Sequence, residues 1–379
     1  MTVVCALALC AAASVPPTGA ATPKPKVVAR NLSNPRKIFV GADGSVYVVE
    51  AGTGGNVDGH RCLVTCVGRS GAVVRLANGH TQPFVTGLGS LSVPNGQGAQ
   101  GPAAFRIVNG KDYVLMQDME INSKGVNQLG LPDAGDLFTT PPGKVAPKLA
   151  ANFAAFEAAH NPDHGAGPGP KHGQPSIDSD PYDFVPYRGG FAVADAAGND
   201  LLWLAPSGRI SVLAVFPIRH QKLTKIQENE LSPPKLNPYP VQSVPTSVAV
   251  GPDGALYVGE LTGWPYTPGT ARIWRVVPGK KATVYASGFT NISALVFDGK
   301  NLLVLELASK GILDPSSPGA LLLLKPDGKR AVVASAGLVA PTGLALGNGS
   351  IYISNYGTYP GSGTGPHGEL ISLPASLAG

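Results

Sequence analysis

Short apolar runs alternate with tight turns along most of this chain. The stretch VPTSVAVGPDGALYVGE, from Val244 to Glu260, contains an apolar run, a Gly-Pro-Asp-Gly turn, a second apolar run and a final carboxylate. Closely similar stretches run from Asn34 to Glu50 and from Ala340 to Asn355. Such runs bounded by turn residues predict antiparallel hairpins. Their repetition predicts a repeat architecture such as a propeller or a solenoid.

The repeat count predicts how the chain closes. Six units can be aligned, but only five of them are followed by a fourth strand of their own. The segment KVVARNLSNP, from Lys26 to Pro35, has the pattern of a fourth strand and precedes the first unit. We therefore predict a six-bladed β-propeller of four-stranded antiparallel blades, with the strand near Val27–Ala29 completing the last blade beside Leu370–Leu373. Pairing the two termini removes exposed sheet edges.

The connections predict a working face. Antiparallel strands place successive connections on alternate faces, and all short turns of the repeat fall on one of them. The long insertions fall on the other, which we call the long-loop face: 51–70, 118–135, 154–180, 217–243, 261–270, 307–318 and 356–367. Rigid scaffolds commonly bind ligands with such loops. Residues 152–160 predict a short helix, and the basic, Pro-rich insertion 217–243 is interpreted as a mobile, solvated loop rather than a partner-binding arm.

A polar residue closes each second strand. These residues are Glu50, Gln117, Asp195, Glu260, Glu306 and Asn355. The repeat places all of them near the mouth of the central channel. In one interpretation each side chain accepts hydrogen bonds from backbone N–H groups of the neighbouring loop. In the other, Glu50, Asp195, Glu260 and Glu306 hold Ca²⁺, which prefers carboxylate and amide oxygens. The sequence has no Asp-x-Asp-x-Asp-Gly loop to support calcium directly.

Aromatic and histidine residues supply further candidates on the long-loop face. Trp264, Tyr266, Tyr356 and Tyr359 could stack on a planar or sugar-like ligand, or pack beneath long loops. His160, His164 and His172 lie in one Gly/Pro-rich segment, where a solvated loop is favoured over a zinc site. A further histidine of this face (His60, His220 or His367) could serve as a general base beside a bound cation.

The N-terminus and the cysteines indicate export. An apolar stretch from Val3 to Ala13 is followed by small residues, which predicts a signal peptide over residues 1–21, possibly with a truncated start, before a single domain over 22–379. Cys62 and Cys66 then remain, and an oxidising compartment favours a disulfide between them over a zinc site. We expect a secreted, extracellular or periplasmic, monomeric protein. No later segment predicts a membrane span.

Composition limits the classes of partner. Hydrophobic residues make up 43% of the 379 residues and charged residues 14%, which is typical of a folded chain rather than a disordered one. The formal net charge is +5, and the Lys and Arg residues are scattered. Nucleic acid is therefore not an expected partner.

Several phrases resemble one family over most of the mature chain. The segments DPYDFVPYRGGFAVADAAGNDLL, GFTNISAL and YISNYGT, together with the stretch from Val244 to Val276, are similar to the ScyD/ScyE family over about residues 27–373. The blade phrase is also similar to NHL repeats. The family resemblance implies a propeller and export; the family is associated with clusters for scytonemin, an indole-derived pigment, and its molecular role is not established.

The sequence thus favours an exported propeller that binds a small molecule or a protein partner on the long-loop face. One alternative is a calcium-dependent hydrolase of lactonase type, with the channel mouth as its active site. Another is a structural extracellular module. We expect binding rather than catalysis, with no cofactor assigned except the possible calcium ion.

Overall fold

The computed structural model describes residues 24–55, 62, 64–77, 79–94, 96–119, 124, 126–127, 129–131, 133–140, 148–165, 177–231, 236–358 and 367–379. The predicted signal peptide lies outside the described residues. His60, His172 and Tyr359 also lie outside them.

Within the described residues, six four-stranded antiparallel sheets form the blades of a propeller. The first blade comprises β2 Pro35–Val40, β3 Val46–Glu50, β4 Cys66–Ala77 and β5 His80–Ser92. The second comprises β6 Pro102–Val108, β7 Lys111–Met116, β8 Asp136–Thr140 and β9 Lys148–Asn152. The third comprises β10 Pro181–Tyr187, β11 Gly190–Asp195, β12 Asp200–Leu204 and β13 Ile210–Val215.

The fourth blade follows an insertion that contains β14 Arg219–Gln221 and β15 Tyr239–Val241. That blade comprises β16 Pro245–Val250, β17 Leu256–Glu260, β18 Ala271–Val276 and β19 Thr283–Phe289. The fifth comprises β20 Ile292–Asp298, β21 Asn301–Glu306, β22 Ala320–Leu324 and β23 Arg330–Ala334. The sixth comprises β24 Gly343–Gly347, β25 Ser350–Asn355, β26 Gly368–Pro374 and β1 Lys26–Leu32. Two helices, α1 Phe153–His160 and α2 Lys225–Glu230, and a 3-10 turn at Ala375–Ala378 complete the elements.

The two ends of the chain close the ring. Strand β1 pairs antiparallel with β26, with Val27 opposite Ile371 and Ala29 opposite Leu370. The first strands of neighbouring blades contact one another around the ring, and β24 contacts β2. The predicted six-bladed fold and its closure by an N-terminal strand are confirmed.

The hydrophobic core lies between blades rather than within one central layer. Each of six buried clusters draws its side chains from two adjacent blades. Phe105 of the second blade, for example, packs against Tyr47 of the first at a ring-centroid distance of 5.3 Å. Ala29 and Leu32 of β1 belong to the cluster between the last and first blades. Each blade therefore needs both neighbours to bury its two faces.

Hydroxyl groups on the innermost strands join successive blades. Each donates to a main-chain carbonyl of the next blade, and the pairs are Thr246 with Ile292 (2.6 Å), Ser293 with Pro341 (2.8 Å) and Thr342 with Pro35 (2.6 Å). These bonds link the fourth, fifth, sixth and first blades in order. They occupy the equivalent position in each strand, so they are a product of the repeat.

A buried charge network crosses the channel beneath these hydroxyls. Lys37 Nζ donates to the carbonyl of Thr246 at 2.8 Å and to that of Ser293. It also lies 3.7 Å from Asp183, whose other carboxylate oxygen is 3.1 Å from Arg106. Because burial removes the ammonium from water, the pKa of Lys37 is lowered to about 8. One side chain thus connects the first blade to the third, fourth and fifth.

Two insertions are more ordered than the sequence predicts. Strands β4 and β5 extend past the blade as a ribbon, because Ser90 and Ser92 donate to the carbonyls of Ala51 and Thr53 at 2.6 and 2.7 Å. The prediction that 51–70 is entirely a loop is therefore wrong at its end, since β4 begins at Cys66.

The interpretation of 217–243 as a mobile loop is also wrong for its described part. Strands β14 and β15 form a hairpin that carries α2, and Leu223, Tyr239 and Val241 form a small cluster against Trp264. Gln221 Nε2 donates to Thr267 Oγ1 at 2.7 Å, which fixes the hairpin to the loop of the fourth blade. Apolar residues spread through a basic sequence give too weak a periodic signal to predict this.

The short helix predicted over 152–160 is confirmed as α1. Asn152 caps its N-terminus, since its side chain accepts a hydrogen bond from Ala155 N. Phe153 enters the core between the second and third blades. No helix among the described residues is both long enough and apolar enough to cross a membrane.

Candidate functional site

The polar residues at the ends of the second strands turn toward the segments that enter the blades. Four of them accept backbone N–H groups there at 2.7 Å: Glu50 from Ser33, Asp195 from Asp180, Glu306 from Thr290 and Asn355 from Val339. Gln117 differs, because its Nε2 donates to Asp180 at 3.4 Å. The interpretation of these residues as acceptors for neighbouring loops thus describes four of the six.

The calcium interpretation gains no support from the arrangement of these carboxylates. Among the described residues, no three His, Cys, Asp or Glu side chains form a group that could hold a metal ion. Glu50, Asp195, Glu260 and Glu306 are all described, and the calcium site assigned to them stays a prediction. Burial raises the pKa of Glu50 and of Glu306 to about 7, which is the expected response of a carboxyl group with a single N–H donor.

Glu260 is the exception, because it is fully buried and fully paired. Its oxygens accept from Ser243 Oγ and Trp274 Nε1 at 2.7 Å and from Arg272 at 2.8 to 3.1 Å. Arg219, from the hairpin insertion, lies 3.7 Å away. Glu260 therefore fixes the third strand of the fourth blade, β18, and the insertion to the end of β17.

Replacing Glu260 with Gln is expected to lower the free energy of unfolding by about 3 kcal/mol, because Arg272 would lose its buried counter-charge. Replacing Glu306 with Gln serves as the matched control and is expected to cost less than about 1 kcal/mol, since Gln retains one acceptor for Thr290 N–H. Urea unfolding measures both values. Equal losses would contradict the distinction, and a loss of calcium-dependent thermal stabilisation in either variant would support the calcium hypothesis.

A cavity at the channel mouth is the main candidate site. This central cavity has a volume of about 380 Å³. Its walls come from the third, fourth, fifth and sixth blades and from the segment before the second: Gln97, Gly98, Asp180, Tyr182, Ala196, Val244, Thr246, Leu261, Ser293, Leu307, Ile312 and Thr358. Five of these twelve residues have aliphatic side chains, and most of the exposed wall surface is apolar, as is typical of ligand pockets.

The register of the repeat explains which residues line the central cavity. Ala196, Leu261 and Leu307 line it, and each directly follows one of the predicted acids. The side chain of each acid accepts a hydrogen bond from the segment that precedes the first strand of its blade. The residue after each acid lines the cavity instead. The residues that line the cavity are thus one position further along the chain than the predicted acids.

Two neighbouring cavities bring in the predicted aromatic residues. One, of about 250 Å³, is lined by Trp264 and Tyr266 and shares Val244 and Leu261 with the central cavity. The ring of Trp264 also meets that of Tyr239 edge to face at 4.8 Å. The other, of about 420 Å³, is lined by Tyr356 and shares Gln97, Leu307, Ile312 and Thr358 with it. The three aromatic residues therefore border the site without lining its central part.

Asp180 and Tyr182 are the ionisable residues that line the central cavity, and neither was predicted from the sequence. They flank Pro181 at the start of β10. Burial, reinforced by the carboxylates of Asp195 and Asp178, raises the pKa of Asp180 to about 7. Burial also raises the pKa of Tyr182. Their position in the repeat could have identified them. Tyr182 follows Pro181 at the start of β10, Thr246 follows Pro245 at the start of β16, and both residues line the cavity.

The cysteine and histidine predictions have mixed outcomes. Cys62 and Cys66 form a disulfide, with their Cα atoms 4.5 Å apart. His160 Nδ1 donates to Phe156 O at 2.9 Å, and its ring stacks on the Phe156 ring. No histidine lines the three described cavities. The described histidines are thus not placed beside the candidate site, and the roles of His60 and His172 stay predictions.

Comparisons with known proteins support the fold alone. No family model matches the chain, and no curated protein matches it. ScyD/ScyE membership therefore stays a prediction. Among solved structures, the chain is similar to the calcium-binding protein regucalcin from Agrobacterium tumefaciens strain C58, with a TM-score of 0.53, 12% identity and coverage of 92% of this chain and 93% of that one.

Two further solved structures have similar scores. The aldose sugar dehydrogenase from Streptomyces coelicolor, in its PQQ-bound form, gives a TM-score of 0.50 at 12% identity, with coverage of 92% of this chain and 96% of that one. A protein provisionally described as a gluconolactonase gives 0.50 at 11% identity, with coverage of 94% and 93%. At these identities the likeness establishes the six-bladed propeller fold and no shared activity.

Proposed function

We propose that this protein is an exported β-propeller that binds a small, predominantly apolar molecule in the central cavity at the channel mouth. The observation that carries the proposal is the composition of the cavity wall. Its exposed surface is mostly apolar, with Ala196, Val244, Leu261, Leu307 and Ile312 as the aliphatic residues, and Asp180 and Tyr182 supply the ionisable groups. A preformed concave surface of this kind favours a small ligand over a flat protein partner.

The blades supply the rigidity that such a site needs. The Thr246 and Ser293 hydroxyls and carbonyls are engaged below the cavity by the next blade and by Lys37. Their side chains therefore hold one position without a ligand, so little ordering entropy opposes binding. Export is supported by the apolar N-terminal stretch and by the Cys62–Cys66 disulfide, because such bonds persist in oxidising compartments.

The proposal predicts saturable binding of an uncharged aromatic probe, N-phenyl-1-naphthylamine, followed by its fluorescence. Replacing Ile312 with Trp is expected to weaken binding at least about tenfold, because the larger ring fills the cavity. The neighbouring Leu313 is 56% exposed and does not line the cavity, so Leu313→Trp is the matched control and should bind normally. Equal affinity in both variants, or no saturable binding by the wild type, would contradict the proposal.

No specific contact favours the calcium-dependent hydrolase over binding. Lactone hydrolysis assayed with added calcium and with EDTA tests that alternative directly. The structural-module alternative predicts instead that substitutions in the cavity wall leave every binding measurement unchanged.

A further inference from the structure

Asp180 is positioned to meet a ligand. Its Oδ1 accepts hydrogen bonds from Gln117 Nε2 and Asp118 N, both at 3.4 Å, near the upper limit for such bonds. Its Oδ2 receives no hydrogen bond from the described residues. The residue is half-buried and lines the central cavity. A carboxylate with one weakly bonded oxygen and one open oxygen gains more from a new donor than a fully paired one such as Glu260.

The charged groups that act most strongly on Asp180 are two further carboxylates. The carboxylates of Asp195 and Asp178 both disfavour its ionisation, and the N–H donors of Asp118 and Gln117 oppose them. No Lys, Arg or His is among the described residues that line the central cavity. This wall therefore presents a negative potential that no lining side chain neutralises.

The nearest cations lie beneath the cavity and are already engaged. Lys37 donates to the carbonyls of Thr246 and Ser293, and its Nζ is 5.4 Å from the centroid of the Tyr182 ring. Arg36 donates to the carbonyls of Gly357 and Ala99. Neither side chain lines the cavity. An anionic ligand would thus meet Asp180 without meeting a free cation.

We infer that the ligand of the central cavity carries a protonated amine, which pairs with the Asp180 carboxylate while its apolar body lies against Leu261, Leu307 and Ile312. This inference rests on the proposed function, and it narrows the ligand class to alkyl or arylalkyl amines with an apolar body. The pairing is charge-assisted and partly shielded from water, which makes it stronger than a surface ion pair.

Two matched probes test it by titration: 2-naphthylmethylamine and 2-naphthalenemethanol, which differ mainly in the charge of one group. The wild type is expected to bind the amine at least about tenfold more tightly than the alcohol near pH 8. Asp180→Asn should abolish this preference, because the protonated amine loses its counter-charge. Asp327→Asn makes the same change of charge in an exposed turn and should retain the preference.

The pH profile gives a readout that does not depend on any variant. The preference for the amine should increase from about pH 6 to about pH 8, because Asp180 ionises in that range. The titratable groups facing Asp180 are Asp178, Asp195 and Tyr182. Ionisation of the two carboxyl groups strengthens the same trend, and burial raises the pKa of Tyr182. A preference that is constant with pH would contradict the assignment to Asp180.

The outcomes separate the two proposals. Equal binding of amine and alcohol would overturn the amine inference and leave the apolar site intact. Tighter binding of 2-naphthylacetate than of either probe would overturn it in favour of an anion recognised by Arg36 or Lys37. Failure of all three probes to bind would overturn the proposed function itself.

Discussion

A chain that begins at residue 33 is expected to unfold with a free energy at least about 3 kcal/mol lower than one that begins at residue 24. The difference between the two chains is strand β1. Its loss removes the buried Leu32 and Ala29 from the cluster between the last and first blades, and it exposes the edge of β26. Urea unfolding, followed by tryptophan fluorescence, measures the difference.

A synthetic peptide of residues 24–32 provides the control for this deletion. Because β1 contributes as a paired strand, the peptide should restore part of the lost stability in a concentration-dependent manner. A scrambled peptide of the same composition should not. An unchanged urea midpoint in the shortened chain would contradict closure of the ring by β1.

Replacing Asp183 with Ala is expected to cost about 3 to 5 kcal/mol, the largest effect we expect from a single substitution. Asp183 is 4% exposed and is the counter-charge of both Lys37 and Arg106. Its Oδ2 also accepts from Val248 N, which connects the third blade to the fourth. Removing the carboxylate would leave two buried cations that only main-chain carbonyls and rings contact.

A double variant separates unpaired charge from lost packing. Lys37→Met combined with Asp183→Ala should be more stable than Asp183→Ala alone, because the buried Lys37 ammonium is removed together with its partner. Thermal unfolding of the single and double variants measures the coupling. Additive effects would show that Lys37 and Asp183 do not depend on each other.

The sequence determined the fold because the repeat encodes it locally. Alternation within each run predicts the strands, the Gly-rich turns fix the hairpins, and identical phrases must adopt identical blades. Even closure was predictable, since Val27 to Ala29 has the pattern of a fourth strand and five such strands cannot complete six blades. These features depend on residues that are close together in the sequence, and the same pattern occurs in each of the six repeats.

The tertiary structure decided which side chains face the ligand space. Glu50, Glu260 and Glu306 lie at the predicted ends of their strands. Each accepts hydrogen bonds from residues 12 to 17 positions away in the chain, which the fold brings next to it. Residues such as Leu261 face the cavity in their stead. Asp180 became a candidate only when the fourth and fifth blades placed apolar walls around it. Sequence periodicity gives the position of a residue along its strand, whereas hydrogen-bond partners and burial are set by segments distant in the chain.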